Sequence, residues 1–399
     1  MNKNSLKKIF PDDRISFRAE DLMAVSTDAS GIYGPCYGVV WPEGEKELQR
    51  LVLWARDQRT AVDLVPRGAG TGLAGGAVPR GSLVVDLSRM TRVLEVNPSD
   101  ETIRVQGGCV LDTLNQHLSR SHLHLPVIPG SHAACTVGGM AATNAAGFRA
   151  IHFGRMEDYV IDALVVDGNA QIRTLHGEST QQWIGSEGTL GIILEVTLRV
   201  RPRENSSTTQ KIKLPSIEDV CAFIPEIRQI EGLVALELLD PACSAAMGWE
   251  DKYHLLVERA ASSEKDMDKT EALKTWKARS GLYAVLASHG LHIIEDPFVP
   301  FEGLASALGW LKEHRIPVFG HMGVGILHPC FEPGQEQRVD DLMRVIMEIG
   351  GKPAGEHGVG VRKREYLSLK ELTAHRLRKD RYDPHRIFNR DKIWKESAA

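Results

Sequence analysis

Residues 65–76, VPRGAGTGLAGG, constrain this chain more than any other stretch: Gly68, Gly70, Gly72, Gly75 and Gly76 carry no Cβ, and Pro66 fixes the entry. Glycine tolerates positive φ and close backbone approach, so such a run lets successive N–H groups converge on one anion, a phosphate or pyrophosphate. Gly70, Gly72 and Gly75 also fit the spacing G-x-G-x-x-G, which in a dinucleotide-binding βαβ unit opens a helix. Here Gly76, Pro79 and Gly81 interrupt the chain and SLVVDL (82–87) reads as a strand, so a nicotinamide-type site is not expected. Taken alone, the loop fits a glycine-rich surface turn as well as it fits an anion cradle.

The 399 residues suffice for two or three domains. The net charge is −4 with both signs interspersed, which lacks the basic footprint of a nucleic-acid binder. Six cysteines without a C-x-x-C pair argue against an iron–sulfur cluster or structural zinc in this chain, and fit a reducing compartment. The N-terminus MNKNSLKKIF is basic without an apolar core, and no run approaches ~20 apolar residues. The expectation is a cytoplasmic protein with at most peripheral membrane association.

Apolar residues at Leu48, Leu51, Val52 and Ala55 predict an amphipathic helix over 45–59, between strands at 37–42 and 61–65. Hairpins are predicted for 94–106 and 159–175, and a helix around Leu111, Leu114 and Leu118. Strict alternation over 195–201 ends at Pro202, and ENSSTT (204–209) reads as a linker. Beyond it, strands at 211–214, 234–239, 254–258 and 292–295 interleave with helices at 217–230, 265–279 and 301–314, an order compatible with an antiparallel sheet under helices. Two more helices are predicted, at 339–349 and from Leu369 onward.

Two further stretches share the character of the first: PGSHAACTVGGMAATNAAG (129–147) and GSEGTLGII (185–193). Together the three resemble the flavin-binding segments of the FAD-linked oxidases related to vanillyl-alcohol oxidase, and most closely the branch of D-lactate, glycolate and D-2-hydroxyglutarate dehydrogenases. The resemblance runs from about Pro42 to the tail. It implies an α+β protein: a two-part PCMH-type FAD-binding domain over 1–205, a ferredoxin-like antiparallel cap over 206–335 that is short for the branch, and a helical segment over 336–399 returning to the FAD domain. The closing DPHRIFNRDKIW (383–394) resembles the family's return motif, with Arg390 and Asp391 where that motif has proline and glycine.

Carried over by motif position, the FAD contacts are Pro66, Arg67, Gly68, Ala69, Gly70, Thr71, Gly72 and Leu73; Pro129, Gly130, Thr136, Gly138, Gly139 and Asn144; Glu187, Gly188, Thr189, Gly191 and Ile193; and Asn389. Thr71 matches the position where some relatives attach flavin to a histidine, so the resemblance implies non-covalent FAD.

The second constellation is HMGVGILH (321–328) with GEHGVG (355–360). Two histidines seven apart would share a helical face, but Gly323 and Gly325 disfavour a helix, and on a flat strand they would face opposite ways. A shared site therefore requires a turn or bulge at the glycines. The resemblance implies that His321, His328 and Glu356 ligate a divalent metal, zinc, manganese or iron, with open positions for substrate. Val324 and Ile326 stand where the family motif has aspartate and asparagine.

His357 is the expected general base, because imidazole titrates near neutrality and can take the hydroxyl proton of a 2-hydroxy acid. Arg279 is the expected partner of the substrate carboxylate, although a cation at the end of a predicted helix is also favoured by the helix dipole. The leading expectation is an FAD- and metal-dependent dehydrogenase of a small D-2-hydroxy acid, D-lactate first, then glycolate or D-2-hydroxyglutarate. Its electrons would leave to a separate acceptor: an iron–sulfur subunit, an electron-transfer flavoprotein or a quinone. The alternative is a non-catalytic flavin relay subunit, favoured by the loss of polar groups at Val324 and Ile326.

Overall fold

The computed structural model describes residues 3–58, 62–203, 207–260 and 266–396. The predicted ends at 59, 61 and 265, and the first half of the linker at 204–206, lie outside the described residues.

The amphipathic helix forms as Glu45–Arg56 and buries Leu48, Leu51, Val52, Trp54 and Ala55. Each fully buried Leu or Val on that face contributes about 1.5–3 kcal/mol. The helix lies between two sheets that share one apolar core. The first sheet runs Ile15–Ser16, Cys36–Val40, Ser82–Asp86, Leu64–Arg67, with the last three strands parallel. The second is antiparallel: Val93–Asn97, Thr102–Gln106, Gly191–Arg199, Val160–Asp167, Ile172–His176. Both predicted hairpins belong to this second sheet. Its other face is covered by the helices Leu111–Ser119 and Val137–Thr143. No helix follows the glycine loop before the strand Ser82–Asp86, as the breakers require.

The cap is a six-stranded antiparallel sheet in the order Thr208–Leu214, Tyr253–Arg259, Leu233–Leu239, Val318–His321, Ile326–Phe331, Ile293–Ile294. The helices Ile217–Ile227, Leu304–Glu313 and Glu336–Glu348 pack on one face. Lys269–Ser288 packs on the other. That helix runs past its predicted end at Arg279, because Leu282 and Leu286 continue the buried stripe beyond Gly281. Arg279 is thus interior to a helix, and the dipole argument for a cation there falls away.

Helix Glu336–Glu348 joins the cap core rather than the returning segment. The return is made by Leu369–Tyr382, whose Tyr382 enters the core of the second sheet, and by Phe388, which bridges to Leu64 beside the first sheet. Where the resemblance has proline and glycine, Arg390 donates its backbone N–H to Asp63 Oδ1 at 2.9 Å and Asp391 adopts φ 57°. The departure from the motif is absorbed locally.

Candidate active site

A cavity of about 600 Å³ lies where the two parts of the first domain meet the cap. It is within the range of pockets that enclose a cofactor or ligand. The glycine loop lines one side, with Pro66, Arg67, Gly68, Ala69, Gly70, Thr71, Gly72 and Leu73 all on the wall. Beside it, on the same lining, stand Pro129, Gly130, Thr136, Gly138 and Gly139, then Glu187, Gly188, Gly191 and Ile193. Close approach explains the residue types: a Cβ on Gly68 would meet Thr136 Oγ1 at 2.2 Å. The amide-bearing, mostly apolar walls fit a dinucleotide-sized flavin whose pyrophosphate needs N–H donors and whose rings need apolar cover.

Three residues expected at the cofactor do not reach the cavity wall. Asn144 ends the helix Val137–Thr143 in the left-handed region (φ 52°) and accepts from Glu157 N–H at 3.0 Å through Oδ1. Thr189 donates to Ser186 O at 2.7 Å. Asn389 Nδ2 donates to Gly76 O at 2.9 Å and Glu187 O at 2.6 Å, tying the tail to two cofactor segments. Each braces the wall from behind. Glu187 itself turns its carboxylate to the N–H groups of Val359 (2.6 Å) and Gly360 (2.8 Å), linking the third glycine segment to the 355–360 loop.

At the cap end of the same cavity stand His321, His328, Glu356 and His357. The odd spacing of the two histidines is resolved by a hairpin. His321 pairs with Ile326 and Phe319 with His328 across adjacent antiparallel strands, so both imidazoles share a face. Gly325, at φ 73°, makes the turn. Glu356 Oε1 lies 3.1 Å from His321 Nε2 and 3.2 Å from His328 Nε2. One donor atom from each of the three residues falls within 4.8 Å of the others. Two imidazoles and a carboxylate are a donor set suited to zinc or a similar divalent ion, with room for further ligands.

The distal nitrogens are oriented as metal-binding histidines require. His321 Nδ1 lies 2.6 Å from Glu237 Oε1, and His328 Nδ1 lies 3.3 Å from Glu295 O. Burial disfavours charge on His321, but the carboxylates of Glu237 and Glu356 outweigh it and lift its pKa to about 9. Glu356, although desolvated, is held well below the usual carboxylate range by His321 and His328. Burial lowers His328 as well.

His357 stacks on His328 with ring centroids 5.1 Å apart. Its Nε2 lies 3.6 Å from Glu356 Oε1, while Nδ1 is buried without a hydrogen-bond partner, 3.7 Å from Asp296 Oδ1. Burial pushes its pKa down to about 3, well below the near-neutral titration expected from the sequence, so the ring is neutral and a weak base. Arg279 lines the cavity with its guanidinium 4.4 Å from the centroid of Phe319. One terminal nitrogen pairs with Glu237, and its buried Nε has no partner.

Sequence reasoning missed Glu237, which serves His321 and Arg279 at once. The signal was present, since a lone carboxylate in the apolar strand LVALELL is a buried charge that needs a partner. The segment DPFVP (296–300) carries a second such carboxylate. Asp296 Oδ2 accepts from the N–H groups of Gly355 (3.1 Å), Glu356 (2.6 Å) and His357 (2.6 Å), while Oδ1 meets Lys363 Nζ. One buried carboxylate thus shapes the loop that carries Glu356 and His357.

The FAD binding domain family matches residues 37–176, and the C-terminal domain of FAD linked oxidases matches 256–393. The chain is 27% identical to a D-2-hydroxyglutarate dehydrogenase of Xanthomonas citri pv. viticola, over 99% of this chain and 97% of that one. It is 28% identical to the glycolate oxidase subunit GlcD of Bacillus subtilis, over 90% and 89%, and 28% identical to a D-lactate dehydrogenase of Archaeoglobus fulgidus, over 89% and 90%. In fold it is similar to a solved alkyldihydroxyacetonephosphate synthase, with TM-score 0.74 and 18% identity over 97% of this chain and 83% of that one. With both halves matched and the whole architecture shared, the chain belongs to the FAD-linked oxidases, a family of FAD-dependent oxidoreductases.

Proposed function

We propose that the protein oxidises a D-2-hydroxy acid to the 2-oxo acid, with D-lactate, glycolate and D-2-hydroxyglutarate as the starting candidates that its relatives' names supply. The observation that carries this reading is the junction of two sites in one cavity: the glycine-lined cradle, and at its cap end the cluster of His321, His328, Glu356 and His357. The three glycine segments would hold FAD non-covalently, and His321, His328 and Glu356 a divalent ion; bound there, the flavin would supply a hydride acceptor and the ion Lewis acidity toward the substrate hydroxyl.

The remaining work falls to side chains. Arg279 offers its guanidinium to the substrate carboxylate, steadied by Glu237. Neutral His357 takes the hydroxyl proton as the carbon–oxygen bond becomes a carbonyl, so proton and hydride leave separately. Apolar walls exclude water from the developing product. Two electrons then pass to a separate acceptor.

The test is steady-state turnover of a panel of D-2-hydroxy acids with an artificial electron acceptor, before and after chelation, on protein whose absorbance spectrum shows flavin. Turnover that chelation abolishes and divalent metal restores is expected. Flavin-loaded protein that turns over no acid would return the chain to the role of an electron relay.

A further inference from the structure

The wall beside the histidine cluster is built from Phe148, Ile294 and Phe319, with Tyr283 and Ala284, both exposed, at its open edge. Phe319 and Ile294 are buried, the ring of Phe319 lies 4.9 Å from that of His328, and Phe148 lies 5.7 Å from His321. Among the described residues that line the cavity, Arg67 and Arg279 are the only arginines or lysines. Arg67 belongs to the glycine loop and donates to Thr27 O at 2.9 Å, so Arg279 is the only one of the two at the reacting end. With one terminal nitrogen committed to Glu237 and Nε buried, the rest of its guanidinium is left for one carboxylate.

We propose that the substrate is a monocarboxylic 2-hydroxy acid with an apolar side chain of several carbons, alkyl or aryl, and that a second carboxylate is rejected. This rests on the oxidation reading above. A methyl group would meet only part of the surface offered by Phe148, Ile294 and Phe319, so extra carbons covered there are rewarded. A second carboxylate would lose water against Phe148, Ile294 and Phe319 with no second arginine or lysine there to receive it. Ser280 already gives its hydroxyl proton to Trp276 O at 3.0 Å, which leaves the neutral hydroxyl of Tyr283 as a weak substitute. The chemistry is unchanged: hydride from the α-carbon, proton from the hydroxyl, a 2-oxo acid as product.

The experiment is anaerobic bleaching of the FAD- and metal-loaded protein by glycolate, D-lactate, D-2-hydroxybutyrate, D-2-hydroxyisocaproate, D-phenyllactate and D-2-hydroxyglutarate. The second-order rate constant is expected to rise about fourfold per added methylene, and D-2-hydroxyglutarate is expected at least ~10²-fold below D-2-hydroxyisocaproate. Tyr283→Arg, one helical turn beyond Arg279, should raise D-2-hydroxyglutarate at least ~10-fold relative to the alkyl acids by supplying the missing cation. Wild-type bleaching led by glycolate or D-2-hydroxyglutarate, or a Tyr283→Arg profile identical to wild type, overturns the inference while the oxidation reading survives. Bleaching by none of the acids overturns both.

Discussion

The carboxylate of Glu237 holds the imidazole of His321 on one oxygen and the guanidinium of Arg279 on the other, so the proposed metal and carboxylate positions share a single support. Glu237→Gln keeps the shape but removes the charge, and should weaken divalent metal binding by ~10–100-fold, as loss of such a partner does elsewhere. Competition against a fluorescent chelator reads this without any turnover, and an unchanged affinity would detach Glu237 from the site. His357→Ala should retain flavin and metal yet slow bleaching by at least ~10²-fold; an unchanged rate would remove His357 from the mechanism. The histidines and the GEHG loop could be read from spacing and resemblance. The positions of Asn144, Thr189 and Asn389 could not, because a motif records which residues recur near a cofactor, not whether they touch it or brace what does. Glu237 and Asp296 escaped for another reason: their partners lie 84 and 61 residues away, in His321 and His357, and only the folded sheet brings them together.

Among the elements, those with a clear period formed where expected, including the helix Glu45–Arg56 and the two hairpins of the second sheet. Helix Lys269–Ser288 was read short because Ser280 and Gly281 look like a stop, yet tertiary burial of Leu282 and Leu286 overrides the cost of an internal glycine. Helix Val137–Thr143 was not anticipated at all. Its glycines hide the pattern, and Thr136 caps it by accepting from Gly139 N–H at 3.3 Å. The glycine loop is held from behind by the tail, where buried Lys392 donates to Gly75 O at 2.9 Å and Val78 O at 2.6 Å. Burial pulls the Lys392 pKa down to about 8. The unfolded chain, with an ordinary lysine, therefore binds more protons between pH 8 and about 10.4, and this residue's contribution to stability rises with pH across that window. Against Lys392→Met, the wild type should gain up to roughly 3 kcal/mol between pH 7 and 10.5. Parallel denaturant titrations check this; a pH-independent difference would mean that the ammonium is not destabilised by its site.

At the scale of the whole molecule, the cavity draws walls from both parts of the first domain and from the cap. The cap is also clamped directly: Arg149 meets Glu258 at 2.8 Å and 2.7 Å through two nitrogens. A ligand that fills such a junction stabilises all its walls together. FAD at a hundred times its Kd should add about 2.7 kcal/mol and raise one common melting transition. A cap that melts separately at an unchanged temperature would show that it takes no part in holding the cofactor. The three-part architecture was legible from the resemblance, but the membership of helix Glu336–Glu348 was not, since periodicity reveals an apolar face and not the surface that covers it. None of the described helices is long and apolar enough to cross a membrane. The returning tail has one more consequence. Asn389 and Lys392 grip carbonyls of Gly75, Gly76, Val78 and Glu187, all made far earlier during translation. A nascent chain that has finished the first domain has therefore not yet supplied the pins of its glycine loop, which arrive only with Asn389 and Lys392.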